Sequence, residues 1–300
     1  MKSYDHPSYL SSLAEFGIPR ALPESGGWLL ERKISGFPYV DCMGPYPLFC
    51  CEDWSRLPQD IMQLDSDLVA VTVVTDPFAN FDLEEMAACF YSRFFVFKLH
   101  YAIDLEIPLE EIGGKRRRRH ARRALNKLSI EVSESPAEFI DDWMEVYSVL
   151  VQKHQINGIR AFSRQAFLEQ FKIPGSIMIR ALYQGKTIGA QVYLYQGEVI
   201  HAHLGACDSI GYDLEATYAI DYFSFEFFKG KAKWLNLGGG IGISNGILDG
   251  LSQYKSAWAS HIRNSYFCGR IINVDRYEEL VQNKNAHQEN YFPAYRAGEF

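Results

Sequence analysis

One stretch limits the choice of folds more than any other. Trp234-Leu235-Asn236-Leu237 is a short apolar run, and it ends in Gly238-Gly239-Gly240-Ile241-Gly242, four glycines within five residues. Glycine tolerates backbone geometries and close approaches that a side chain forbids. A strand that runs into such a cluster offers its backbone to a ligand, whereas glycines alone also suit a surface turn. The continuation is more particular. Asp249-Gly250-Leu251-Ser252-Gln253-Tyr254-Lys255-Ser256-Ala257-Trp258 sets one lysine among aromatics a short distance downstream.

The chain around that stretch has 300 residues, enough for one large or two modest domains. With 47% hydrophobic, 14% aromatic and 22% charged residues it has the composition of a globular protein able to line a pocket. A net charge of -7 excludes indiscriminate nucleic-acid binding by the chain as a whole. Cysteines 42, 50, 51, 89, 207 and 268 show no CxxC or Cys/His ligand spacing, so no metal site is expected. The start, Met1-Lys2-Ser3-Tyr4-Asp5-His6-Pro7, is polar and unlike a secretory signal. No apolar run approaches the ~20 residues of a membrane span. The expectation is a soluble, cytoplasmic protein with reduced thiols.

Two groups of strands flank a basic segment. In the first, Trp28–Arg32, Leu68–Val74 and Phe94–Leu105 read as strands, and the β-branched 68–74 run suggests a central one. Asp41-Cys42-Met43-Gly44-Pro45-Tyr46-Pro47 reads as a rigid loop. In the second, Ser135-Pro136-Ala137-Glu138 has the form of a capping box, and another helix starts after Ser163. Ile177–Tyr183, Thr187–Tyr195 and Val199–Ala206 form an antiparallel meander. A helix with the stripe Ala216, Ile220, Phe223, Phe227 precedes the Lys233–Leu237 strand, with Thr217, Asp221 and Ser224 on its opposite face. Ser265–Cys268 and Arg270–Val274 read as two further strands, and Asp275 as the cap of a last helix.

Between the groups, Lys115 to Arg123 holds seven Lys/Arg in nine residues, with Gly113-Gly114 ahead of it. A helix is expected, with Ala121, Ala124 and Leu125 as its apolar stripe. Its charges form either a solvated face or a site for phosphate or RNA backbone, since Arg forks match phosphate. Arg116, Arg119 and Arg123 are the candidates for that contact.

Meander, helix, strand, glycine loop, helix, strands is the order of a GNAT acyltransferase core. A strand ending Leu-Gly-Gly-Gly, then Asp-Gly-Leu-x-x-Tyr-Lys-x-x-Trp, resembles the C-terminal signature of the Fem-like peptidoglycan aminoacyltransferases and their acetyltransferase-like relatives in cell-envelope and exopolysaccharide pathways. The basic helix and the Asp41–Tyr46 loop are similar to parts of that group as well, and the resemblance spans most of the chain. It implies an α+β fold of two GNAT-like halves, each with a mixed, largely antiparallel sheet flanked by helices, and a cleft between. The halves would span 1–110 and 136–300, with 111–135 as the basic connection. It implies transfer of an acyl or aminoacyl group to an amine of an envelope or polysaccharide precursor. Lys255 falls on the family's functional lysine, and Gly238, Gly239 and Gly240 on its glycine loop. No permanently bound cofactor is implied. The co-substrate would be an activated acyl donor, aminoacyl-tRNA or an acyl thioester, and the partner an anionic envelope or glycan precursor. One departure bears on the donor. CoA-using GNATs carry a pyrophosphate loop after the third meander strand, and Cys207-Asp208-Ser209-Ile210-Gly211-Tyr212 replaces it here.

Aminolysis of an ester or thioester requires a neutral amine, a stabilised oxyanion and alignment of two substrates. Lys255, flanked by Tyr254 and Trp258, supplies a point charge with three donors. Asp249 either orients the amine or closes an Asx turn. His203, on the same strand face as His201, is a general base or a hydrogen-bonded core histidine. Asp41 and Tyr46 line the acceptor side or stiffen their loop. Two other functions compete: a non-catalytic GNAT-like protein that binds RNA or another anion, and a CoA-dependent small-molecule N-acetyltransferase.

Overall fold

The computed structural model describes residues 3–240 and 249–299. Ile241 and Gly242, the end of the glycine cluster, lie outside the described residues. In the first part of the chain are α1 (Pro7–Ser11), β1 (Ile18–Leu22), β2 (Gly27–Lys33), β3 (Val40–Met43), α2 (Leu57–Met62), β4 (Leu68–Val74), α3 (Leu83–Cys89) and β5 (Arg93–Asp104). The basic run is α4 (Lys115–Leu125). Then come β6 (Ser129–Ser133), α5 (Ile140–His154), α6 (Arg164–Gln170), β7 (Ile177–Tyr183), β8 (Lys186–Gln196), β9 (Val199–Cys207), α7 (Ser209–Asp213) and α8 (Ala216–Phe228). The chain closes with β10 (Trp234–Asn236), α9 (Gly250–Ser256), β11 (His261–Ile271) and α10 (Val274–Asn283).

The eleven strands form one sheet in the order β1-β2-β3-β4-β11-β5-β10-β9-β8-β7-β6. Pairing is antiparallel except at β3/β4 and β9/β10. The strands of the two expected halves share this one sheet, as its two wings, in place of two separate sheets. They also do not follow the chain: β11, beyond residue 136, inserts between β4 and β5 of the first wing. β4 occupies the middle of its wing because Leu68, Val69, Ala70, Val71 and Val73 are buried on both faces.

Local chemistry explains several departures from the sequence expectations. β11 is one strand because Gly269 does not break it; a Cβ there would overlap the Phe292 ring, so the glycine serves close packing. Asp41–Met43 belongs to β3 rather than to a loop. α10 is capped by Asn273, whose side chain accepts from Arg276 N, two residues ahead of Asp275. Ser135 makes no side-chain cap bond. α8 is rotated relative to its expected stripe: Phe225 and Phe228 are buried in place of Phe223 and Phe227, and Asp221 and Ser224 are buried with them. The helix is covered on two sides, by β7 and β8 below and α4 above, so a single stripe cannot describe it.

Candidate active site

The site follows from where β10 stops. Trp234, Leu235 and Asn236 pair in parallel with Val199, Ile200 and His201 of β9, and there the pairing ends. β9 continues to Cys207 against β8. The chain after Asn236 instead follows β5: Leu237 N donates to Tyr101 O at 2.8 Å, and Tyr101 N donates to Gly238 O at 3.2 Å. Two neighbouring strands therefore part, and the glycines begin at the fork. Gly238 has φ +83, and a Cβ on it would stand 3.1 Å from Lys255 Nζ. A Cβ on Gly240 would overlap Ser252 Oγ. The glycines let the first turn of α9 lie against the strand end.

Asp249 sets that turn. Its Oδ1 accepts from Leu251 N and Ser252 N, both at 2.9 Å, and its Oδ2 from Ser252 Oγ at 2.7 Å. This is an N-cap, the second of the two roles expected for Asp249. Lys255, in the last turn of α9, donates through Nζ to Gly239 O at 2.8 Å. Among the described residues, two of its three N–H donors have no hydrogen-bond partner. Burial pulls its pKa down to about 8, against the opposing charges of Asp221 and Asp249. Burial pushes Asp221 the other way, up to about 6, and its Oδ2 accepts from Tyr254 OH at 2.7 Å. Tyr254 thus faces Asp221, and Trp258 is buried behind it.

A second polar line meets the fork from the strand side. Gly238 N donates to Asn236 Oδ1 at 2.9 Å, which fixes the amide orientation. Asn236 Nδ2 then faces His201 Nδ1 at 3.1 Å, and His100 Nδ1 faces Asn236 Oδ1 at 3.3 Å. His100 therefore carries its proton on Nδ1 and His201 on Nε2. Burial lowers both to about 3, so both are neutral. Lys98, also lowered by burial, reaches toward Gly240 O at 3.4 Å.

His203 does not join this group. Tyr4 OH stands 3.2 Å from its Nδ1, and Gln170 Oε1 stands 3.2 Å from its Nε2. Gln170 is oriented by Ser12, whose Oγ donates to Tyr9 O, so both His203 nitrogens are satisfied. With its pKa lowered by burial to about 3, His203 is a core histidine and not a base. Asp41 is also elsewhere: Arg296 holds it bidentately at 2.7 and 2.8 Å, and Tyr295 OH donates to it at 2.9 Å. It pins the C-terminal tail to β3 and faces no cleft. Tyr46 packs against Phe162, with Tyr9 OH donating to its carbonyl at 2.6 Å.

The basic helix docks beside α9. Its N-terminal Gly113 lies against Trp258, and Arg117 Nη2 reaches Gln253 O at 3.5 Å. Lys115, Arg118, Arg119, Arg122, Arg123 and Asn126 line an open groove of ≈ 430 Å³. These fall at i, i+3, i+4, i+7, i+8 and i+11, one helix face. Of the three expected arginines, Arg119 and Arg123 line the groove and Arg116 does not. Arg123 is also paired with Glu215 at 2.7 Å. The periodicity would have picked out Arg118 and Arg122. Asp221 was missed because a polar residue in an apolar helix was placed on its outer face. Asn236 and His100 carried no motif.

This fold, one mixed sheet flanked by helices, is shared with several solved structures at low sequence identity. FemX superposes with TM-score 0.67 at 12% identity, covering 91% of this chain and 93% of that one. The C-terminal domain of an Agrobacterium fabrum protein assigned as a lysylphosphatidylglycerol synthetase gives 0.64 at 14% identity, over 95% and 92%. L-PGS from Bacillus licheniformis gives 0.59 at 15% identity, over 94% and 98%. No protein-family model and no curated protein sequence matches the chain. Among the described residues no helix is long and apolar enough to cross a membrane.

Proposed function

We propose that the protein transfers an acyl or aminoacyl group from an activated donor to an amine, with Lys255 as the charge that meets the developing oxyanion. One observation carries this reading: a half-buried lysine is held at a strand fork by a backbone carbonyl, with two N–H groups unpartnered among the described residues. A neutral amine attacks the donor's ester or thioester carbonyl, and the oxygen that gains charge lies beside Nζ. Collapse expels the donor's oxygen or sulfur, which takes up the proton the amine releases. Lys255, with a pKa of about 8, remains mostly charged at neutral pH, as an oxyanion partner must.

The groove on α4 supports a phosphate-bearing donor or acceptor. An aminoacyl-tRNA donor suits it better than CoA, because Asp208 caps α7 where a pyrophosphate would sit, its Oδ1 accepting from Gly211 N at 2.7 Å. The acceptor class is an envelope or polysaccharide precursor that carries an amine, and the six unpaired cysteines suit a cytoplasmic setting. The test is transfer of radiolabelled aminoacyl groups from charged tRNA, and of acetyl from acetyl-CoA, to a panel of amino sugars and peptides. Transfer from tRNA supports the reading. Anion binding with no transfer from either donor would instead make the protein a non-catalytic binder.

A further inference from the structure

β11 carries Arg263 and Ser265 two residues apart, hence on one face of the sheet. Arg263 stands opposite His100 of β5, in the row that leads through Asn236 to His201. Its guanidinium lies 4.4 Å from the ring centre of Phe78 and 4.8 Å from that of Trp234. Its Nε is buried and has no hydrogen-bond partner among the described residues. His201 meets the same Phe78 ring edge-on, with centroids 6.3 Å apart. Because His201 Nδ1 accepts from Asn236, its proton is on Nε2, and that N–H is buried at 2% residue exposure with no partner among the described residues. Ser265 Oγ, at 0% exposure, likewise has none among them. Unsatisfied buried donors are rare in folded proteins, and each costs stability unless something accepts from it.

We propose that Arg263, His201 and Ser265 form a subsite for a carboxylate, and, resting on the reading above, that this carboxylate belongs to the amine-bearing acceptor. A cation and two neutral donors match the two oxygens of a carboxylate. Asp76 closes the same region through the Phe78 loop, its Oδ1 accepting from Phe78 N at 2.9 Å. The charge of Arg263 already acts on Asp76, so a bound carboxylate leaves the region one net negative charge and a phosphate dianion two, which disfavours the phosphate. The subsite lies on the strand side of the fork, and His100 and Asn236 join it to the Lys255 end.

Acetate and inorganic phosphate, each titrated at constant ionic strength into protein with ¹⁵N-labelled histidines, serve as probes. Acetate is expected to shift the His201 Nε2–H signal saturably, and phosphate to bind more weakly. Arg263→Gln is expected to weaken acetate at least about tenfold, the scale of a charge-assisted hydrogen bond. Ser265→Ala, which removes a hydroxyl with no internal partner, is expected to fold normally and weaken acetate about threefold or more. Lys255→Ala is expected to leave acetate binding unchanged. Absence of a saturable shift, tighter phosphate than acetate, or undiminished acetate binding in both Arg263→Gln and Ser265→Ala would overturn the proposal. Acetate binding without any acyl transfer would leave the subsite standing and remove only the transferase reading.

Discussion

Lys255 and Asp221 show how far one buried pair shapes the site. Burial drives each toward its neutral form, and the other's charge partly restores it. Two outcomes follow. Transfer should fall as pH rises through about 8, because the cation is lost there. Asp221→Asn removes the charge that favours the ammonium, so the fall should begin at lower pH. Single-turnover rates against pH, with the labelling rate of Lys255 by an amine-reactive reagent as a readout independent of turnover, check both. A basic limb unmoved by Asp221→Asn would detach Asp221 from the lysine. Lys255 was legible from its motif, because the glycines and the Asp249 cap are local signals. Asp221 was not, because its burial depends on α4 lying across α8, which no local pattern encodes.

At the scale of elements, α4 meets the site through Arg117, which reaches Gln253 O, and through Gly113, just ahead of the helix, against Trp258. Gly113 has φ +64, and a Cβ on it would overlap the Trp258 ring. Gly113→Ala should therefore cost ~1–3 kcal/mol in a urea melt, from strain and overpacking together. It should also impair α4-dependent binding; an unchanged melt would show that α4 docks by other contacts. The groove face should bind polyanions with a steep salt dependence, and Arg119→Ala with Arg122→Ala should lower the slope of log affinity against log salt by about two. An equal slope would return the run to a solvated face. CoA should bind weakly in calorimetry, because Asp208 and Glu215 set carboxylates at the starts of α7 and α8. Micromolar acetyl-CoA binding would contradict this. β4 was legible as a continuous apolar run, and β5, α4 and the β7–β9 meander from their residue patterns. β1, β6 and α3 were missed, because their partners rather than their composition define them.

For the molecule as a whole, the sheet is where sequence reasoning reached least. Nothing in residues 261–271 says that they complete the first wing; their register with Val71–Val74 and with β5 is a tertiary choice. That insertion places Arg263 opposite His100 and ties the last part of the chain to the site. The same interior sets the acid response. His100, His201 and His203 are held at about 3, against 6.5 when unfolded, so the unfolded chain binds more protons below pH 6.5. Asp76 and Asp221, raised from 3.8 to about 6, act in the opposite sense between those values. From these five groups the unfolded state gains one net proton between about pH 6 and 4, so stability should fall on acidification by roughly 1 kcal/mol per pH unit. The loss should steepen below about pH 4 as the carboxylates cease to offset it. Urea melts at pH 7, 5 and 4 test this, and stability that holds or rises on acidification would contradict it.

The central claim, that a lysine at the strand fork meets the oxyanion of acyl transfer, is tested most directly by the single-turnover rate of Lys255→Ala alongside its thermal melt. The rate should drop on the order of 10²–10³-fold, as when one oxyanion donor is lost, while the melt stays at or above that of the parent. Lys255→Arg should not restore it fully, since a planar fork cannot sit where a point charge sat. A rate within a few fold of the parent at unchanged stability would remove Lys255 from the chemistry.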